Sequence, residues 1–381
     1  MSRVSVEPVL LHWARARLGS AASALSERFP RLHAWESGEE RPTLRQLQQF
    51  AKAARVPLGY LFLNQPPEED IPIPDFRTAA GDSPQRPSPD LLETIYTMQQ
   101  RQSWLREILS EDDAAPLELV GSARLSDRPD AVGREMRRIV GLGEGWASSV
   151  RSWREAVGEL RRAIEAIGVM AVINSVVGNN THRKLDVSEF RGFALSDSLA
   201  PLIFVNGADA KSAQMFTLAH ELAHIWLGRE GVSGFEGLFP NGSEVEEFCN
   251  KAAAEFLVPA SELKAMWNHA KRTEQPFETV ARHFKVSPIV AGRRAMDERL
   301  VDRDTFFDFY HEYIEREQHK ATGSGGGDFY SNQNSRVGEF FAAQVVKAAL
   351  EGRIGFKEAY DLTGLRGGSF QEYAGRLGFE I

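Results

Sequence analysis

The chain has 381 residues, 42% of them hydrophobic and 26% charged, so it exceeds the usual single domain and has the composition of ordinary globular proteins. A formal net charge of -8 argues against a chain devoted to wrapping nucleic acid, although one basic face on a small domain can hide inside that sum. A single cysteine, Cys249, forbids an intramolecular disulfide; with no signal-peptide pattern and no run near the ~20 apolar residues that span a bilayer, the expectation is a cytoplasmic protein with no membrane contact.

Residues 1–65 read as a compact helical module. An apolar set at Val9, Leu10, Trp13 and Ala14 comes first, then AASALSERF, then RLHAWE closed by Gly38. Pro42 and Thr43 open a further helix whose Leu44, Leu47, Phe50, Ala51 and Ala54 share one face. Residues 66–90 are rich in proline, which blocks helix interiors and central strands, and read as a connector. A helical connecting region, 91–144, follows; in its first helix, opened by Ser88 and Pro89, Leu91, Ile95, Met98, Leu105 and Leu109 form either a homodimer seam or a face packed on its own domain.

Between residues 145 and 270 the pattern changes. An amphipathic helix with Val150, Trp153, Val157, Leu160 and Ile164 on one side leads into GVMAVINSV, and two more strand candidates follow at FRGFALSD and PLIFVN. PLIFVN is a candidate edge strand for receiving a peptide by strand addition. A helix pair comes next, so the fold class is mainly α with an α+β catalytic core. Residues 271–320 include VARHFKVSPIVAGRRA, which reads as two short helices around a turn and is helix-turn-helix-like. Residues 321–330 are a Gly-rich hinge and 331–381 a helical tail.

The chemistry concentrates in FTLAHELAHIWLG, Phe216 to Gly228. Four residues along a helix turn through about 400°, so His220 and His224 stand one above the other and their imidazoles can converge on one ion. Glu221, about 100° round from His220, can reach a water on that ion without being a ligand, the general-base position of the H-E-x-x-H pattern. A catalytic zinc needs a third protein ligand and one open position. The following helix, SEVEEFCNKAAAEFLVP, offers Glu246 on the stripe shared with Cys249, Asn250, Ala253 and Leu257. Glu246 is therefore the chosen third ligand, and Asn250 the residue expected to hydrogen-bond a liganding imidazole from outside. Glu255, placed on the wet side by the same arithmetic, is the reserve ligand; Cys249 is read as a small buried hydrophobe. His182 and Arg183 are the only candidates for stabilising an oxyanion.

FTLAHELAH and EFCNKAAAEFLVP resemble the ImmA/IrrE metallopeptidases of bacteria and phages, and RLHAWESGEERPT, PLGYLF and IPIPDFRT resemble the branch carrying an N-terminal XRE-type helix-turn-helix. The resemblance implies a zincin-like core with His220, His224 and Glu246 as Zn2+ ligands and Glu221 as base. It also implies regulation by limited proteolysis: members of the family cut an XRE-type repressor to release genes for stress response, mobile elements or phage defence, and others sit beside toxin genes. The expected partner is thus a repressor or a toxin-antitoxin protein. The N-terminal module departs from the XRE pattern, because Pro30 stands where the turn and first reading residues belong and the path from Leu25 to Trp35 is about four residues short. This shifts its expected role from DNA reading towards partner binding or dimerisation, leaving Arg28, Arg31, Arg41 and Arg45 as candidate phosphate contacts. The competing class is an antitoxin-like DNA- or toxin-binding regulator whose peptidase fold is a scaffold. A further alternative places Pro74 to Thr78 in the cleft as an autoinhibitor.

Overall fold

The computed structural model describes residues 3–18, 22–67, 87–233, 243–318 and 329–380. Most of the proline-rich connector, with the Pro74 to Thr78 segment, and most of the Gly-rich stretch lie outside them. The described residues divide into two compact units, one up to residue 67 with 87–96 and the other from residue 97 onward.

The first unit holds α1 (Pro8–Ala16), α2 (Ala22–Arg28), α3 (Leu32–Glu36) and α4 (Leu44–Ala54), closed by a 3-10 turn at Leu58–Phe62. Its core is Leu10, Trp13, Leu25, Phe29, Trp35 and Phe50 with their neighbours. Thr43 starts α4 through a reciprocal cap: the Gln46 amide donates to Thr43 Oγ1 at 3.3 Å and the Thr43 amide to Gln46 Oε1 at 2.9 Å. Behind Pro30, α3 has only five residues. Arg31 is paired with Glu40 at 3.3 Å, and Arg28 lies over the Phe29 ring.

Helix α5 (Pro89–Glu111) buries Leu91, Ile95, Met98 and Leu105 within the chain, so of the five residues read as a seam only Leu109 keeps partial exposure. The second unit continues with α6 (Pro129–Val140), α7 (Trp146–Ser149) and α8 (Trp153–Ala166), then β1 (Met170–Asn174), β2 (Gly192–Leu195) and β3 (Leu202–Asn206). Next come α9 (Lys211–Leu227), β4 (Gly231–Ser233), α10 (Glu244–Leu257), α11 (Ala260–Ala270), α12 (Pro276–Phe284), α13 (Pro288–Asp297) and α14 (Arg303–Gln318). A C-terminal group of α15 (Phe329–Val337), α16 (Glu339–Leu350), α17 (Phe356–Thr363) and α18 (Gly368–Arg376) completes it.

The described residues are mainly helical, with one small sheet in the order β1-β3-β2-β4. β1 runs parallel to β3, and β2 runs antiparallel to both β3 and β4. All residues of β1, β2 and β3 are buried, which is why these strands read as apolar runs rather than alternations. β3, the PLIFVN segment expected at an edge, is bonded on both sides and sits inside the sheet; among the described residues the edges are β1 and β4. The face bearing Ala171, Ile173, Ala194, Ile203 and Val205 packs into the same core as α8 and α9. No described helix is long and apolar enough to cross a membrane.

Candidate metal centre

Helix α9 is apolar almost all round, and every residue from Thr217 to Trp226 is buried, so His220, Glu221 and His224 lie inside the protein. Gly228 ends the helix one turn after His224 with φ 62, a left-handed cap that glycine adopts without steric cost. At the other end the buried Gln214 side chain donates to the carbonyls of Gly207 at 3.0 Å and Asp209 at 2.7 Å.

Helix α10 packs against α9 through the Cys249, Ala253 and Leu257 stripe, which turns Glu246 towards the histidines. Glu246, Glu247 and Glu244 occupy its first turn, where the positive end of the helix dipole favours carboxylates. His220 Nε2 lies 3.1 Å from Glu246 Oε2, His224 Nε2 lies 3.2 Å from Glu246 Oε1, and the two Nε2 atoms are 3.1 Å apart. The two Nε2 atoms and the two oxygens of one carboxylate, from two helices, thus form a compact triangle of side chains, the one such group among the described residues. The imidazoles are buried while 37% of the Glu246 side chain is exposed, so solvent reaches the cluster from the Glu246 side.

Tetrahedral zinc with bonds of ~2.0–2.1 Å sets its ligand atoms ~3.3 Å apart, close to the 3.1 Å between the two Nε2 atoms. The electrostatics agree. Burial opposes charge on His220, but Glu246, helped by Glu221 and Asn250, raises its pKa above the ordinary histidine value. Burial likewise opposes ionisation of Glu246, yet His220 and His224 hold its carboxyl far below the usual range. Both directions mean that the cluster favours positive charge between the imidazoles and the carboxylate, as a divalent cation would supply.

Glu221 is fully buried beside this triangle, with Oε1 against Gly192 of β2. Asn250 sits one turn after Glu246 and favours the charged form of His220; the buried His224 Nδ1 has no hydrogen-bond partner among the described residues. Cys249 is buried in the core, its thiol pushed well up by burial first and by Glu246 and Glu221 second, and it stands outside the His220, His224 and Glu246 group.

Glu255, expected on the wet side, is only 2% exposed. The correction has a clear cause: α6 lies on that side of α10, with Gly133 so close that a Cβ there would stand 2.4 Å from the Ala252 carbonyl oxygen. Glu255 pairs with Arg294 and with Arg134 at 3.2 Å and takes no part in the histidine cluster. His182 is exposed in the loop after β1, which Asn179 ties to the Gly364 carbonyl at 3.0 Å; Arg183 lies in the same loop. Neither residue belongs to the metal cluster. Of the N-terminal arginines, Arg41 lends its carbonyl to Arg3 at 3.3 Å, and Arg45 is exposed on the first turn of α4. Sequence reasoning missed Gly192, although a glycine inside a strand candidate is a recognised mark of close approach.

No curated protein matches the chain. Residues 337–376, covering most of the C-terminal helices, match the model of a domain of unknown function, DUF8813. Residues 164–296, from the end of α8 through α13, match the model described as IrrE N-terminal-like domain, Peptidase_M78. That stretch holds β1 to β4, His220, Glu221, His224 and Glu246, so the cluster lies within the part of the chain that is similar to this peptidase-family domain.

Proposed function

We propose that this protein is a zinc-dependent endopeptidase that acts by limited proteolysis on a regulatory protein, either a repressor or a toxin-antitoxin partner. The observation that carries the reading is the convergence of His220, His224 and Glu246 beside a buried Glu221 that is not part of the triangle. His220 and His224 would hold the ion through Nε2 and Glu246 through its carboxylate. When bound, zinc supplies Lewis acidity to a peptide carbonyl and to an attacking water. Glu221 takes the proton from that water and passes it to the departing amine. Its burial against β2 keeps the carboxylate out of bulk solvent and in a fixed place.

A scaffold role for the peptidase fold leaves Glu221 without a task, because a purely structural zinc site closes its fourth position and needs no base. The N-terminal unit is assigned to partner binding rather than base reading, since a five-residue α3 offers few side chains to a major groove. The test is zinc analysis together with cleavage of neighbouring gene products by wild type and Glu221→Gln. Cleavage by wild type alone supports the reading; equal cleavage by both, or none by either, overturns it.

A further inference from the structure

We infer that Gly192 is a positioning residue for Glu221: the absent side chain on β2 is the space that the general-base carboxylate occupies. The inference rests on the peptidase reading above.

A Cβ on Gly192 would stand 2.6 Å from Thr217 Cγ2, 2.8 Å from the Phe204 carbonyl oxygen and 3.0 Å from Glu221 Oε1. Its backbone is not in the left-handed region, so glycine is needed here for room and not for conformation. The three neighbours differ in how far each can yield. The Phe204 carbonyl belongs to β3, which is bonded to β1 on one side and β2 on the other. Thr217 is held in its rotamer because its hydroxyl donates to the Ala213 carbonyl at 3.1 Å.

Helix α9 itself cannot withdraw. Its first turn is tied down through Gln214, and at its end a Cβ on Gly228 would stand 3.0 Å from Gly121 Cα. Glu221 is the one group of the three that presents the far end of a flexible side chain. A methyl group at position 192 crowds all three at once, and the carboxylate, as the group able to yield, is displaced, while His220, His224 and Glu246, none of which Gly192 touches, would still hold the ion.

The experiment measures zinc content, melting temperature, kcat and KM on an internally quenched mixed-sequence peptide library. Gly192→Ala is expected to bind zinc one to one and to lose about 100-fold in kcat at unchanged KM, the cost of misplacing a catalytic group by about 1 Å. Glu221→Asp shortens the carboxylate and lifts it away from β2, so in that background Gly192→Ala should cost less than ~3-fold, because the two changes act on one contact. Should Gly192→Ala fold poorly, Gly192→Ala/Thr217→Ser removes the tightest side-chain contact and carries the test.

If that double variant regains wild-type kcat, the glycine serves packing against Thr217 and the inference falls. It also falls if wild type cleaves, Glu221→Gln does not, and Gly192→Ala cleaves as wild type. A wild type that holds zinc and cuts nothing overturns the peptidase reading, and the inference with it.

Discussion

Arg294 of α13 grips the buried carboxylate of Glu255 on α10, on the side of the helix away from the histidine cluster. Glu246 and Glu255 thus stand on one helix with opposite tasks. Glu255→Ala leaves Arg294 and Arg134 facing a void, and removing one partner of a buried ion pair costs about 3–5 kcal/mol. Arg294 keeps Glu298 at 3.1 Å, which places the expected loss at the lower end, about 3 kcal/mol. Urea unfolding checks the loss, and metal analysis below the unfolding midpoint should still find full zinc content. Glu246→Ala should show the reverse, with zinc lost and the apo fold kept.

Gly133 sets how closely α6 approaches α10. A Cβ there meets the Ala252 carbonyl oxygen, Glu255 Cβ at 2.9 Å and the Phe256 amide nitrogen at 3.1 Å, all on a rigid helix. Gly133→Ala is expected to destabilise by about 1–3 kcal/mol through overpacking. Pushing α10 outwards also moves Glu246, so competition with a chromophoric chelator should show weaker zinc binding than in wild type.

Glu165 provides a pH signature away from the metal cluster. Burial pushes its pKa up to about 7; Arg161 on the same helix opposes this, Glu339 of α16 adds to it, and the amides of Phe340 and Glu339 pull the other way. A raised folded pKa means that the native state holds this proton more tightly than the unfolded chain. The stabilisation is complete below about pH 4.5 and is lost as pH rises through about 7. Wild type should therefore lose up to about 3 kcal/mol relative to Glu165→Gln between those values. Paired denaturation curves across that range would refute the assignment by running parallel.

Metal removal should lower stability by linkage alone. Saturation at 100 times the Kd adds ~2.7 kcal/mol to a fold whose unfolded chain does not bind. Treating wild type with a chelator should drop its melting temperature, and readdition of zinc should restore it. His220→Ala should melt at the same temperature with or without zinc.

The convergence of His220, His224 and Glu246 was legible because it rests on helical arithmetic. His220 and His224 fall four apart on an unbroken apolar helix, and Glu246 shares a stripe with Cys249, Ala253 and Leu257, so their faces followed from 100° per residue. Where the reading failed, the answer lay in which element covers a face, which a single helix does not encode. Glu255 looked wet because the arithmetic put it opposite Glu246; the helix that covers that side, α6, buries only Gly133, Met136, Val140 and an arginine, Arg137, paired with Glu262 at 2.7 Å. β3 looked like an edge because strand order is set by pairings distant in sequence, and the three-residue β4 leaves no periodic trace.

Zinc-edge X-ray absorption on zinc-loaded wild type tests the central claim most directly. The account predicts four nitrogen or oxygen neighbours at ~2.0–2.1 Å, with the outer-shell scattering of two imidazoles. A sulfur neighbour at ~2.3 Å, a single imidazole, or a spectrum unchanged in Glu246→Ala would contradict it.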